Sequence, residues 1–502
     1  MEVHLAGYNV DSAALDEIGA KYGKKDELTP EVISASYARI SRDPRPISEI
    51  RKDARHEVEK TRRSNSTIIF KMGHHSVAEH AVFNLDILGV SRLAMEEIEK
   101  FRLCSYTEKS QRYITLDKDF VVPKEIKNAP FEKMFIETVH EQNKAYFDLY
   151  EKLKTYVFEK NADLAKDPKN HNLLEGWAKE DARYITALAT ESQVGQTVNA
   201  RNLELMLRRF ASHPLTEIRE LGEAVYEKIA DVAPSIVLFN KANDRDLLTY
   251  PELKKLSEKI LQSLPASEIS EEEVKLVDHT KGADDIIAAA ILHTSTDLPY
   301  QECLMAIKHL DESAKKMLFK TACQNMQFYD SMLREFEYAN LTFDIILSSA
   351  CFGQLKRHRM ATITVQPYDP GLGITIPESI KEIGEEKSFR KITDLSREAY
   401  DKIHKEHPLA APYILTNAHR RRVLIRVNAR EMYHISRLRE DKHAQWDIQN
   451  ISRRMREKAK MVMPLTFLLV GGKDRYNDIY NDLYGTLPRI TEAILPGVKK
   501  IR

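Results

Sequence analysis

Cysteine is scarce: Cys104, Cys303, Cys323 and Cys351 stand isolated among 502 residues, with no CxxC pair. That excludes a disulfide framework and a zinc site built on paired cysteines, and each lone Cys on an apolar stretch reads as a small buried hydrophobe. Net charge is absent as well. Lys plus Arg number 76, Asp plus Glu 76, and the formal charge is +0. No global field therefore draws nucleic acid or a membrane surface, so any anion site must be local. No run approaches about eighteen apolar residues, and MEVHLAGYNVDSAALDEIG lacks a basic stretch followed by an apolar one. The expectation is a cytoplasmic protein with neither membrane nor nucleic-acid partner.

What is present is length and helical periodicity. At 502 residues the chain exceeds one typical core, and two domains are the first expectation. Residues 30–65 and 88–103 carry apolar side chains at helical spacing, whereas HAVFNLDILGV, 80–90, alternates as a strand does. EKMFIETVHEQNKAYFDLYEKLKTYVFEK reads as an amphipathic helix with a solvated charged face. Residues 240–285 are polar and broken by Pro251 and Pro265. They suggest modules at 1–245 and 286–502 joined by a linker, 246–285.

The chain also repeats itself. EHAVFNLDILGVSRLAMEEIEKFR (Glu79 to Arg102) answers EYANLTFDIILSSACFGQLKRHR (Glu337 to Arg359), and TVNARNLELMLRRFASHPLTEIRE answers RVNAREMYHISRLREDKHAQWDIQ. Each half holds an acid, a strand, a helix ending in basic residues and a later helix opened by Asn-Ala-Arg. Such duplication predicts two copies of one fold about a pseudo-twofold axis.

Three stretches carry chemistry. Arg357, His358 and Arg359 offer planar donors suited to phosphate or carboxylate; the competing account is a solvated helix end whose cations meet the last carbonyls. SYTEKSQRY places Glu108, Ser110, Arg112 and Tyr113 in one short loop, a composition that is a weak signal alone. MGHHSVAEH adds His74, Ser76, Glu79 and His80, but His74 and His80 are wrongly spaced for a metal-binding helical pair, and no metal is expected.

Taken in order, His-x-Ser-x-x-Glu-His, strand, helix, basic-x-Arg, Ser-Gln-Arg-Tyr and Asn-x-Arg resemble the flavin-dependent thymidylate synthases, and HAQWDIQ is similar to that family's late helix. The resemblance spans both halves except roughly 125–165 and 240–320. It implies FAD as cofactor and conversion of dUMP to dTMP with methylene-tetrahydrofolate and NADPH. It also implies a fold of the α/β (α+β) class, an antiparallel sheet flanked by long helices, helix-rich and here present twice. The usual member is a single module that assembles as a homotetramer with shared sites; two such chains paired as a homodimer would match that tetramer.

The halves depart from the pattern in complementary ways. The first reads Lys100-Phe101-Arg102 at the triplet but keeps the Ser-x-Arg loop; the second keeps Gln354 and the triplet but has MATITVQPYDP in place of that loop. Arg183 has Pro412 as counterpart, His74 and Ser76 have Met332 and Arg334, and Arg209 is taken as the counterpart of Arg439. By resemblance, the nucleotide falls to Glu108, Ser110, Arg112, Arg183, Gln354, Arg357 and Arg439. The flavin falls to Ser76, Arg357, His358, Arg359, Asn428, Arg430 and His443, and catalysis to Ser110, Arg439 and His74. A composite site shared by the halves follows. Lys109, Phe101 and His434 depart from the pattern and leave open a flavoenzyme acting on another pyrimidine nucleotide, and duplication followed by loss leaves open a non-catalytic nucleotide-binding or assembly protein.

Overall fold

The structure is a computed structural model that describes residues 12–22, 29–40, 43–112, 119–262 and 272–489. It divides into two compact units, one of residues 1–268 with 379–416, the other of 269–378 with 417–502. Among the described residues no helix is long and apolar enough to cross a membrane.

The first unit is built on an antiparallel sheet of β1 (Val82–Ser91), β2 (Cys104–Glu108) and β3 (Glu191–Asn199), in the order β1-β3-β2. The strand read from alternation runs on to Ser91, so the helix expected from residue 88 begins only at Arg92. A bulge between Leu88 and Val90 delays the turn, and Gly89 supplies its positive φ of 72°. The helix Glu132–Lys160 buries Phe135, Val139, Tyr146, Leu149, Leu153 and Val157, a stripe at three- and four-residue spacing. It packs against the helices His171–Ala182 and Glu386–Glu406. Inside that contact the Gln142 amide donates to Ser396 Oγ and to the Ile414 carbonyl, both at 2.8 Å.

The second unit carries β4 (Val274–His279), β5 (Asn340–Ser348), β6 (Thr362–Val365) and β7 (Arg420–Asn428), antiparallel in the order β4-β5-β7-β6. Strand β6 lies within MATITVQPYDP, the stretch that stands in place of the Ser-x-Arg loop; its Thr-Ile-Thr-Val run has the branched side chains that suit a pleated edge. The core is formed by Phe343, Ile345, Val423 and Ile425 from the sheet with Ile287, Phe319, Phe336 and Met455 from the helices. The stretch 246–285 holds most of the helix Asp244–Gln262, with Pro251 inside it, together with β4.

The two sheets share one frame. Ser91 and Ser348 cap the helices that follow β1 and β5, accepting from Ala94 N at 2.9 Å and Cys351 N at 3.0 Å. Each hydroxyl in turn donates to an acid in the first turn of a later helix, Glu217 at 2.8 Å and Asp447 at 2.6 Å. Ala200 N bonds the Ala81 carbonyl and Ala429 N the Ala339 carbonyl, both at 2.9 Å. The helical excess and paired antiparallel sheets are those expected of an α+β module present twice.

Candidate functional site

Asn-Ala-Arg has the same local task in both halves. Asn199 and Asn428 are N-caps whose side-chain oxygens accept from Asn202 N at 3.0 Å and Glu431 N at 2.8 Å. Arg201 pairs with Glu79 at 2.5 Å and Arg430 with Glu337 at 2.9 Å, tying each helix start to the segment that enters β1 or β5. Arg430 also donates through Nε to the Met332 carbonyl at 2.8 Å.

In the first unit the loop residues converge on a buried cluster. Glu108 ends β2, and its carboxylate lies 3.7 Å from Arg92. Arg112 donates through Nε to Glu180 at 2.8 Å, and Arg112 N meets Ser110 Oγ at 3.2 Å. Arg183, at the end of the helix carrying Glu180, donates through Nε to the Glu180 carbonyl at 3.3 Å. Burial lowers the Arg183 guanidinium from the ordinary arginine value; Tyr184 and Glu180 counter this, while Arg112 and Arg92 add to it. Arg92, Arg112 and Arg183 thus gather beside Glu108 and Glu180, a set of planar donors suited to an anion. Lys109 N continues the ladder to the Gln193 carbonyl at 2.9 Å, and Tyr113 lies outside the described residues.

His74 and Ser76 are exposed, in the segment that enters β1. They lie at the Asn199 end of β3, where Glu79 meets Arg201, whereas Glu108 pairs with Val194. Five residues of strand span about 17 Å, so this unit does not bring His74 and Ser76 to the arginine cluster.

In the second unit the triplet follows the short helix Ser349–Leu355 with unequal burial: Arg357 and Arg359 are exposed, and His358 is 3% exposed. The triplet thus sets two exposed guanidiniums past a helix end on either side of an inward imidazole. His358 Nε2 accepts from Arg439 Nε at 2.8 Å, which leaves Nδ1 to carry the proton toward Glu431 Oε1 at 3.2 Å. Burial, then Arg439 and His434, hold His358 well below its ordinary value, so the imidazole is neutral. His434 sets its ring edge-on to His358 at 5.6 Å. Gln354 donates to Gln445 Oε1 at 3.1 Å, while its own Oε1 is buried with no hydrogen-bond partner. His443 is exposed, its N–H bonded to Asp441 at 3.0 Å. His358, Arg439 and Glu431 therefore come together, Gln354 meets Gln445, and Asn428 and Arg430 stand at the other end of the helix Ala429–Arg439 from Arg439.

The same positions in the first half are filled differently. Phe101 stands where His358 does, and Phe210, eleven residues past Asn199 as Arg439 is past Asn428, is the counterpart of Arg439. Arg209, taken for that counterpart, instead pairs with Asp246 at 2.7 Å. The aromatic rings meet edge to face at 5.8 Å. Gln354 is matched by Glu97, which pairs with Lys100 and with His213; burial pushes its carboxyl up, but His213 and Lys100 more than offset this and hold it at about 2.

Sequence reading missed Arg92, Glu180, Gln445 and Glu431. Glu180 was signalled by its spacing of three from Arg183 on a helix, and Glu431 by its place three after a capping Asn; Arg92 and Gln445 had no local signal.

A family model described as thymidylate synthase complementing protein matches residues 25–235 and 275–465, so the match runs through 125–165 as well. A flavin-dependent thymidylate synthase of Clostridium tetani is 30% identical over 216 residues, 42% of this chain and 82% of its own length. One from Pyrococcus furiosus is 32% identical over 209 residues, 38% of this chain and 77% of its own. A UPF0159 protein of Chlamydia muridarum is 24% identical over 412 residues, 78% of this chain and 77% of its own, and so spans both repeats.

Proposed function

The chain belongs to the family of thymidylate synthase complementing proteins, the flavin-dependent thymidylate synthases, and from that premise we propose that it converts dUMP to dTMP with methylene-tetrahydrofolate and NADPH. The observation that carries the reading is the complementary survival of two side-chain sets. One half keeps Glu108, Ser110, Arg112 and Arg183, and the other keeps Gln354, Arg357, His358 and Arg439. The working site then needs residues of both halves.

The first set suits a nucleotide phosphate. Arg112 and Arg183 supply charge-assisted bonds of about 1.5–3 kcal/mol each, with a hydroxyl from Ser110. The second set suits a ring: the buried Oε1 of Gln354 needs a donor, which the N3–H of uracil provides. FAD, when bound, supplies the hydride and carries the one-carbon unit. Exposed Arg357 and Arg359 fit its pyrophosphate, and Asn428 and Arg430 fit it only through groups left over from the cap and the Glu337 pair. The chain's own work is orientation, to which Arg439 contributes a guanidinium fixed by His358. Ser110 and His74 are assigned to catalysis by resemblance, His443 and Ser76 to the cofactor.

The test is the visible spectrum of the purified protein with FAD, followed by dUMP titration of the wild type, Arg112→Ala and Arg357→Ala. Flavin uptake in the wild type, with the dUMP response lost in each variant, is expected. No flavin uptake under any condition, or a response surviving both substitutions, would sink the synthase reading.

A further inference from the structure

We propose that Glu431 is a positioning residue for Arg439, acting through His358; the consequence for dUMP rests on the synthase reading above. Glu431 Oε1 receives the Nδ1 proton of His358, and this presents Nε2 as the acceptor for Arg439 Nε. All three belong to one helix face and one buried ring: Glu431 and Arg439 stand eight residues apart on Ala429–Arg439, and the imidazole spans them. Asn428, by capping Glu431 N at 2.8 Å, fixes where that carboxylate begins. With Nε held by His358, Arg439 meets an anion through its terminal amino groups, in the planar fork that suits phosphate or a pyrimidine oxygen. A rotated imidazole would turn a donor N–H against that guanidinium.

The other half supplies an independent observation. There the three positions are Asn202, Phe101 and Phe210, changed together. Asn202 turns its amide to Asn199 Oδ1 at 2.8 Å, and Phe210 is 1% exposed against the Phe101 ring. Gly222 lets the next helix approach residue 210 closely, since a Cβ there would lie 2.9 Å from Phe210 Cβ. A single change would leave a buried donor or acceptor unmatched, so the set is replaced as one. Because His358 is neutral, what it requires of residue 431 is an acceptor, and a glutamine oxygen meets that requirement.

The experiment uses the full-length chain labelled with ¹⁵N-imidazole histidine, as wild type, Glu431→Gln and Glu431→Ala, with His358→Gln assigning the resonance. Imidazole ¹⁵N shifts report the tautomer, and calorimetric dUMP titration reports the anion. In the wild type and Glu431→Gln, His358 is expected to show a protonated Nδ1 and bare Nε2, with dUMP affinities within about threefold; Glu431→Ala is expected to average the tautomers and weaken dUMP by about tenfold or more. An unchanged tautomer and unchanged affinity in Glu431→Ala would overturn the proposal, as would Glu431→Gln behaving like Glu431→Ala. If the wild type binds no dUMP, the synthase reading falls, and the tautomer arm still decides whether Glu431 orients His358.

Discussion

Replacing His358 and Arg439 by the phenylalanines of the other half should cost less together than their separate costs predict. His358→Phe removes two bonds, to Arg439 Nε at 2.8 Å and to Glu431 at 3.2 Å, and strands a guanidinium and a buried carboxylate. Charge-assisted bonds of roughly 1.5–3 kcal/mol place that single change at about 3–5 kcal/mol. Arg439→Phe leaves the neutral His358 Nε2 unmatched, about 1–3 kcal/mol. In the double variant the stranded guanidinium is gone and two rings can pack as Phe101 and Phe210 do at 5.8 Å, so about 2–4 kcal/mol remains. The coupling is then about 2 kcal/mol or more. Urea unfolding of a Trp177→Phe background reads it cleanly, because the remaining tryptophan, Trp446, lies in the same unit as His358. Additivity within about 0.5 kcal/mol would show that these side chains do not act on one another.

The stability of the wild type should fall as pH drops below about 6.5. The unfolded His358 takes its proton there, while the folded imidazole, buried between Glu431, Arg439 and His434, does not. His358→Phe should remove up to about 1.4 kcal/mol per pH unit from that slope, measured by denaturant titration at pH 5, 6 and 7. Gly222→Ala should destabilise by about 1–3 kcal/mol, because its Cβ meets Phe210 Cβ at 2.9 Å, and Gly222→Ala with Phe210→Leu should recover none of the loss in melting temperature, since leucine keeps that Cβ. Ellman's reagent should titrate none of the four cysteines before unfolding: all are buried, and burial pushes the Cys323 thiol up to about 12.

Much of the frame was legible in the sequence because it rests on local rules. The alternation of β1 and the long amphipathic helix from Glu132 follow from periodicity alone. The end of β1 was misread because apolar spacing changes its period only after the Gly89 bulge. The site was less legible, since its bonds join residues far apart in sequence. His358 and Glu431 are separated by 73 positions and Arg112 and Glu180 by 68, and no window shows that Arg209 turns to Asp246. The Asn of Asn-Ala-Arg showed the opposite limit: a residue assigned to a ligand by resemblance proved to hold a helix end by elementary capping.

That shared frame has a consequence for engineering. The Ser91–Glu217 and Ser348–Asp447 contacts, the capping Asn199 and Asn428, and the Arg201–Glu79 and Arg430–Glu337 pairs hold each module's strands and helices without the residues that distinguish the two. Site chemistry therefore sits on the scaffold as a removable insert. Grafting Phe101→His, Phe210→Arg and Asn202→Glu, together with Glu97→Gln and Lys100→Arg and with Gly222 kept, is the shortest route to a module that carries both sets on one copy.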